Sequence, residues 1–394
     1  MFRPSLTRGA SLDSADVTGY GITRSRRASL SAEQRRKLSM LRSASIPSPL
    51  TPKYVVSTDR SGDIHVHVQG DLSQQDKRCV FLTVHDLGTN HSTMVDFVNC
   101  PAMSEIKERS CFIHIDVPGH EENSPDLPDS YQFPSLQTLG EDLITVLDFL
   151  HIRYAVGLGE GAGANILARC GLAHPRRLLG LILVNCTAST SSVADAFRSR
   201  FSRWRGADIS QSEEDFLIYH KFGHVSFEPE RLDYSYQQIS SDSSEVGERD
   251  RTLAEYRSRL RGNLNTHNIK LYVRAFINRK DLILRGCQPD ILLITGMQSP
   301  YSTVIEKMYK ELDKERVTIL KVDRVGDVLA EAPAKVSQSL LLFCQGQGLL
   351  TSLPPPGVER RMSRAMSMEE YDKPNIRRLS LTPAAPDSPP HRKL

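Results

Sequence analysis

The rhythm of apolar and polar positions changes sharply along this 394-residue chain. Residues 1–53 show no sustained apolar period. From Tyr54 the pattern becomes Tyr54-Val55-Val56-Ser57, a turn at Ser61-Gly62-Asp63, and then Ile64-His65-Val66-His67-Val68, with apolar residues at every second position. That alternation predicts a β-hairpin with one wet face. Unbroken apolar runs follow at 79–84, 111–117, 154–158 and 178–184, as expected of parallel strands covered on both faces. Between them, residues 135–150 place Leu136, Leu139, Leu143, Val146, Leu147 and Leu150 at helical spacing, with Glu141, Asp142 and Asp148 off that stripe. Two more strands are predicted at 291–295 and 317–322, with helical patterns around 304–312 and 334–343. Together these predict an α/β fold: a mostly parallel sheet with an antiparallel N-terminal hairpin and helices on both faces.

The strand rhythm stops between about 187 and 284, where the sequence turns polar and helical, as at 195–205 and 251–261. A helical cap inserted over the sheet is expected. Residues 190–280 hold 12 of the 26 aromatic side chains, including the single tryptophan, Trp204, so rings are concentrated there. They either pack the cap onto the sheet or line a ligand or partner site.

Composition adds little until it is divided by segment. The formal charge is +3, but residues 1–53 carry 10 basic and 3 acidic side chains, residues 350–394 carry 8 and 5, and the 296 residues between them sum to −7. Both ends are rich in Ser, Pro and Arg and too poor in apolar residues to offset chain entropy, which predicts disordered basic tails around one domain at 54–349. No apolar run reaches the roughly 20 residues of a membrane span, and Met1 to Arg8 lacks a signal-peptide core. A soluble, unexported, cytoplasmic protein is expected. The seven cysteines are scattered without a C-x-x-C pair, so buried reduced thiols are expected, without a zinc site or other cofactor.

Candidate chemistry centres on Gly157-Leu158-Gly159-Glu160-Gly161-Ala162-Gly163-Ala164, between a predicted strand and helix. Read as Gly157-x-Gly159-x-x-Ala162, it matches the dinucleotide fingerprint, but no acidic residue follows at the end of the next strand, which reads Val184-Asn185-Cys186. Read as Gly159-Glu160-Gly161-Ala162-Gly163, it is the strand-to-helix elbow G-x-S-x-G of α/β-hydrolases with glycine in the nucleophile's place. The surrounding sequence fits the second frame. Val84-His85-Asp86-Leu87-Gly88 follows the third strand, where hydrolases place the oxyanion loop, and a carboxylate at Asp86 opposes a developing oxyanion. Asp116-Val117-Pro118-Gly119-His120 matches the turn after the fourth strand. Where a catalytic acid should follow the seventh strand the chain reads Met297-Gln298-Ser299-Pro300, and where a histidine should precede Pro333 it has Gly326. All three triad positions, marked by Gly161, by Met297 and Ser299, and by Gly326, thus lack the required groups. The alternative is a divergent hydrolase or lyase using His85, Asp86, Asp116 or His120 in a pocket under the cap.

With these residues in view, the chain resembles the N-myc downstream-regulated protein family, α/β-hydrolase-fold proteins without a catalytic triad. The resemblance rests on His85-Asp86-Leu87-Gly88-Thr89-Asn90-His91, His114-Ile115-Asp116-Val117-Pro118-Gly119, the glycine-rich elbow, Ile166-Leu167-Ala168-Arg169 and Arg279-Lys280-Asp281-Leu282, and spans about residues 54–346. It implies a cytoplasmic, non-enzymatic protein in growth, differentiation or stress signalling, phosphorylated by basophilic kinases and linked in some members to endosomal membranes. The N-terminal tail is longer than usual for the family, and the C-terminal tail lacks the tandem Ser/Thr/Arg repeats of some members.

Independently, the tails repeat an Arg three residues before a Ser, at Ser29, Ser39, Ser363, Ser367 and Ser380, and Arg24 completes R-x-R-x-x-S at Ser29. Guanidinium groups in extended segments suit the acidic clefts of basophilic kinases. The expected partners are therefore proteins, such kinases among them, with peripheral contact to anionic membranes through the unmodified tails. Nucleic-acid binding is not expected of an acidic core whose tails lack interleaved aromatics.

Overall fold

The computed structural model describes residues 52–75, 78–189, 209–223 and 243–355, and the structural statements below concern these residues. The tail serines and the predicted helix at 195–205 lie outside them. Eight strands form one sheet: β1 (Lys53–Thr58), β2 (Gly62–Gln69), β3 (Cys79–Val84), β4 (Ser110–Asp116), β5 (Ala155–Glu160), β6 (Leu178–Val184), β7 (Asp290–Gly296) and β8 (Val317–Val322). Their order is β1-β2-β4-β3-β5-β6-β7-β8. The β1–β2 and β2–β4 pairs are antiparallel, and the remaining pairs are parallel.

Every side chain of β3, β4 and β5 is buried, which is why these strands are mostly apolar or small in sequence, with His114, Asp116 and Glu160 the charged or titratable exceptions. Alternate residues feed opposite faces. Leu82 and Val84 join a cluster with Leu139, Leu143, Val146 and Leu147, whereas Phe81 joins Phe97, Phe112, Ile182 and Leu340 on the other side. The covering helices are α1 (His91–Asn99), α2 (Ser104–Glu108), α3 (Leu136–Phe149), α4 (Gly161–Ala173), α5 (Gln211–Phe222), α6 (Ser243–Gly262), α7 (Thr266–Ile277), α8 (Ser302–Glu311), α9 (Val328–Glu331) and α10 (Pro333–Gly346). Helix α3 starts at Ser135, whose Oγ accepts the Thr138 N–H at 3.1 Å. Helices α5, α6 and α7 are inserted between β6 and β7 as the cap. Their rings at Phe216, Tyr256, Tyr272 and Phe276 belong to the same apolar cluster as the sheet.

Four details differ from the sequence-based expectation. The hairpin turns at 59–61, two residues early, because Thr58 already pairs with Gly62 and the Ser61 N–H donates to Thr58 Oγ1. His67, expected on a wet face, is buried beside Asp116. Asp142, off the apolar stripe of α3, is also buried, because it accepts from Ser61 Oγ at 2.7 Å and pairs with Arg60. Core packing continues through Leu350 and Leu353, past the expected start of the C-terminal tail. All seven cysteines are free, and six are buried.

Candidate functional site

Strand β5 ends at Glu160, and α4 begins at Gly161, where the backbone turns through φ +51°. Such a left-handed conformation suits glycine, and at Gly161 there is a further reason for it. A Cβ built on Gly161 would fall within the carboxylate of Asp86. That carboxylate, carried on the loop after β3, accepts the Ala162 N–H at 2.8 Å. In the elbow geometry this N–H follows the nucleophile and is one of the oxyanion donors. Asp86 therefore fills both the nucleophile's space and a place for developing negative charge. It also stands at the N-terminus of α4, where a dinucleotide would bring its pyrophosphate, so like charges would meet there.

The sequence reading missed the partner of Asp86. His220, near the end of cap helix α5, places Nε2 at 3.0 and 2.9 Å from the two Asp86 oxygens. Nε2–H donates to the Asp86 carboxylate, and the partner at Nδ1 is the Tyr301 hydroxyl. Burial alone would raise the Asp86 pKa, but the charge of His220 and its hydrogen bond, with Lys221 and the Ala162 N–H, hold it down at about 2. Asp86, His220 and Tyr301 are each at most 3 % exposed, so this chain of contacts is sealed from solvent. Glu213, Leu217, His220 and Lys221 fall on one face of α5 and all four are buried, but three of them are polar, so their spacing alone did not mark the face as buried.

The next residue extends the junction. Lys221 Nζ lies 2.7 Å from Glu160 Oε1 and 3.0 Å from Asp327 Oδ2. Burial opposes its charge, yet Asp327, Glu160 and Asp86 hold its pKa above that of an ordinary lysine. For Glu160 burial dominates: opposed by Lys221 and reinforced by Asp327 and Asp86, it raises the carboxyl well above its usual range. Asp327 also caps α9, accepting the N–H groups of Leu329 and Ala330. At Gly326 a Cβ would fall on the Phe222 carbonyl, so the end of α5 occupies the space that a histidine side chain would need. Met297 is partly exposed, while Ser299 is buried and its Oγ accepts the Tyr301 N–H at 3.3 Å.

The four residues predicted to share a pocket are each at most 3 % exposed and are held in different sets of contacts. Asp86 faces the elbow. Asp116 Oδ1 accepts the His91 N–H at 2.6 Å, and its Oδ2 lies 3.0 Å from His67 Nε2 and 2.7 Å from His91 Nδ1. The His67 and His91 rings stack at 3.5 Å. Burial would raise the Asp116 pKa, but hydrogen bonds from the two histidines outweigh it and hold the carboxyl far below its usual range. Among the described residues this is the group whose metal-ligand atoms converge, all within 4.8 Å, and hydrogen bonds to Oδ2 already satisfy both facing nitrogens. His85 donates from Nδ1 to the Asp86 carbonyl and accepts the Val117 N–H at Nε2. It stands 5.4 Å from His120, and Tyr272 packs on both rings. Burial lowers the pKa of His85, and burial with His85 as neighbour pushes His120 down to about 3. None of the four lines the cavity beside the elbow. Tyr272 of α7 packs edge-on against both His85 and His120, which are buried beneath it.

The sequence model of the Ndr family matches residues 54–351. The chain is 37 % identical to "Uncharacterized protein ZK1073.1" of Caenorhabditis elegans over 342 residues, covering 85 % of this chain and 96 % of that one. It is 30 % identical to "Protein NDRG3" of Xenopus tropicalis over 302 residues, covering 73 % and 71 % respectively. Among solved structures, a thermophilic esterase from Thermogutta terrifontis aligns with a TM-score of 0.56 at 15 % identity, over 75 % of this chain and 98 % of that one. A hydrolase from Pseudomonas aeruginosa aligns with a TM-score of 0.53 at 18 % identity, over 74 % and 97 %. These structural matches establish an α/β-hydrolase fold. Among the described residues, no helix is long and apolar enough to cross a membrane.

Proposed function

The chain belongs to the Ndr family, and on that premise we propose that it is a non-catalytic signalling or adaptor protein built on the α/β-hydrolase fold. The observation that carries this reading is Asp86, whose carboxylate stands in the nucleophile's space and accepts the Ala162 N–H. Hydrolysis through this elbow would need a nucleophile, an acid, a base and a free oxyanion donor. Gly161 and Gly326 supply no side chain, and the donor is taken. The wild-type chain is expected to leave ester, thioester and epoxide probes at the buffer rate. Turnover abolished by His85→Ala or Asp86→Asn would instead establish the second reading, a divergent hydrolase or lyase, which the Asp86–His220 pair favours.

The proposal extends to regulation. The chain acts in growth, differentiation or stress signalling in the cytoplasm, with an endosome-associated fraction, and binds protein partners through its cap and tails. Basophilic kinases modify Ser29, Ser39, Ser363, Ser367 and Ser380, each phosphate adding about −1.5 to −2 charges. Four or five such sites roughly cancel the tails' combined basic excess and weaken contact with anionic lipid. Changing all five serines to Asp should reduce binding to phosphatidylserine vesicles at low salt; unchanged binding would refute the switch.

A further inference from the structure

A cavity of about 480 Å³ lies between the start of α3, helix α4 and the cap helix α7. Two sequence motifs that the proposed function leaves unassigned meet there. Ile166-Leu167-Ala168-Arg169 supplies Arg169, and Arg279-Lys280-Asp281-Leu282 supplies Arg279 and Lys280. Helix α7 adds Leu271, Arg274 and Ala275, which the helical period places on one face. Four cations thus line the cavity, and among its described lining residues there is no carboxylate.

Two of the four charges are buried and, among the described residues, have only neutral hydrogen-bond partners. Arg169 is 4 % exposed and donates to Asn165 Oδ1 at 2.9 Å, to Gln137 Oε1 at 2.8 Å and to the Lys280 carbonyl. Arg279 is 8 % exposed and donates to the Phe276 and Ser189 carbonyls and to Thr187 Oγ1. Such acceptors satisfy N–H groups but leave the positive charge standing. Asp281 offsets part of it at both guanidiniums, yet it is exposed and does not line the cavity. The other two cations, Arg274 and Lys280, are exposed and so within a ligand's reach. A cleft lined by one sign of charge concentrates its field on whatever enters. An anion is therefore drawn here, and the buried pair strengthens a field that the exposed pair can deliver by direct contact.

Beside these charges, the partly exposed Phe133, Leu271 and Ala275 give the cavity an apolar wall. We infer that the cavity binds a small amphiphilic anion, with a carboxylate or phosphate head on Arg274 and Lys280 and a short alkyl chain against Phe133, Leu271 and Ala275. The volume lies within the roughly 300–1,000 Å³ typical of small-molecule sites. The inference goes beyond the non-catalytic reading, since the hydrolytic assays test that reading without reference to anion binding.

The test uses the full chain, with octanoate and octyl phosphate as anionic probes and octanamide as the neutral isostere, titrated calorimetrically at pH 7 and low salt. The better anion should bind at one site about tenfold or more tighter than octanamide, the scale of one charge-assisted hydrogen bond. Which of the two binds tighter identifies the head group. Arg274→Gln combined with Lys280→Gln should weaken anion binding about tenfold and leave octanamide unchanged, and each single change should weaken it about threefold. Binding to the basic tails would not respond to these two side chains, so an unchanged anion affinity in the double variant would overturn the proposal. Equal affinity for anion and octanamide, or no saturable binding of either anion, would do the same. If the double variant fails to fold by circular dichroism, Lys280→Gln decides, and unchanged anion affinity in that variant has the same force.

Discussion

Strand β3 buries Cys79 to Val84 between two layers of aliphatic and aromatic side chains, and its only polar group is the Thr83 hydroxyl, which meets His114. Where α5 crosses the ends of β5, β7 and β8, the buried side chains include Glu213, Glu214, His220 and Lys221. Both regions exclude water, but by different physics. Apolar packing gains free energy roughly in proportion to area and tolerates small shifts. The cap junction depends on named partners, His220 with Asp86 and Lys221 with Glu160 and Asp327, and within the cap Lys270 pairs with Glu213 and Arg257 and Arg261 with Glu214. Buried pairs add little net stability over an apolar replacement, yet losing one partner strands the other. The sheet therefore supplies most of the stability, and the junction fixes where the cap sits.

That contrast can be broken most directly at Lys221. Lys221→Met should cost about 3–5 kcal/mol at pH 8, by leaving Glu160 and Asp327 facing each other. The deficit should shrink toward pH 5, as protonation relieves the carboxylates. Leu143→Ala, in the sheet-facing stripe of α3, should cost about 2–5 kcal/mol with little dependence on pH. Urea unfolding of both variants at the two pH values is the measurement, and equal pH profiles would dissolve the distinction.

A second test concerns the elbow. Gly161→Ser puts a side chain into the Asp86 carboxylate at a positive φ and should cost about 2–4 kcal/mol. Adding Asp86→Gly should recover part of this, with a coupling energy of about 0.5–3 kcal/mol in a double-mutant cycle. Strict additivity would mean that the two positions do not compete for space.

The smallest effect is a pH dependence. Because the folded-state pKa of Asp86 is depressed from 3.8 to about 2, its contribution is fully present above about pH 4 and is lost as pH falls through 2. That contribution is about 2 kcal/mol. Asp86→Asn should remove this part of the acid limb of the stability curve, and an acid limb identical to the wild type's would show that the pairing with His220 does not bias folding.

The same contrast explains what could be read from the chain alone. Parallel strands covered on both faces leave apolar runs, so β3, β4, β6 and β7 were legible to within a residue or two, and the motif spacing put a strand-to-helix turn where β5 gives way to α4 at Gly161. What fills the space at that turn was not legible. Asp86 and His220 are 134 residues apart, and a helix carrying Glu213, Glu214, His220 and Lys221 looks like a solvated surface until its partners on other elements are known. His67 misled in the same way: alternation put it on a wet face, and Asp116, 49 residues later, drew it inside.

The crowding at Gly161 and Gly326 also constrains the chain's possible descendants. A histidine at 326 needs the Phe222 carbonyl to move, which means shifting the end of α5 and with it the His220 and Lys221 contacts. A serine at 161 needs Asp86 to leave, which would strand His220. On the non-catalytic reading proposed above, each single step toward a triad passes through a poorly packed protein with nothing yet gained in chemistry. The closed elbow thus behaves as a ratchet: point mutation can readily elaborate the cap and tails, but reopening the elbow requires several coordinated changes at once.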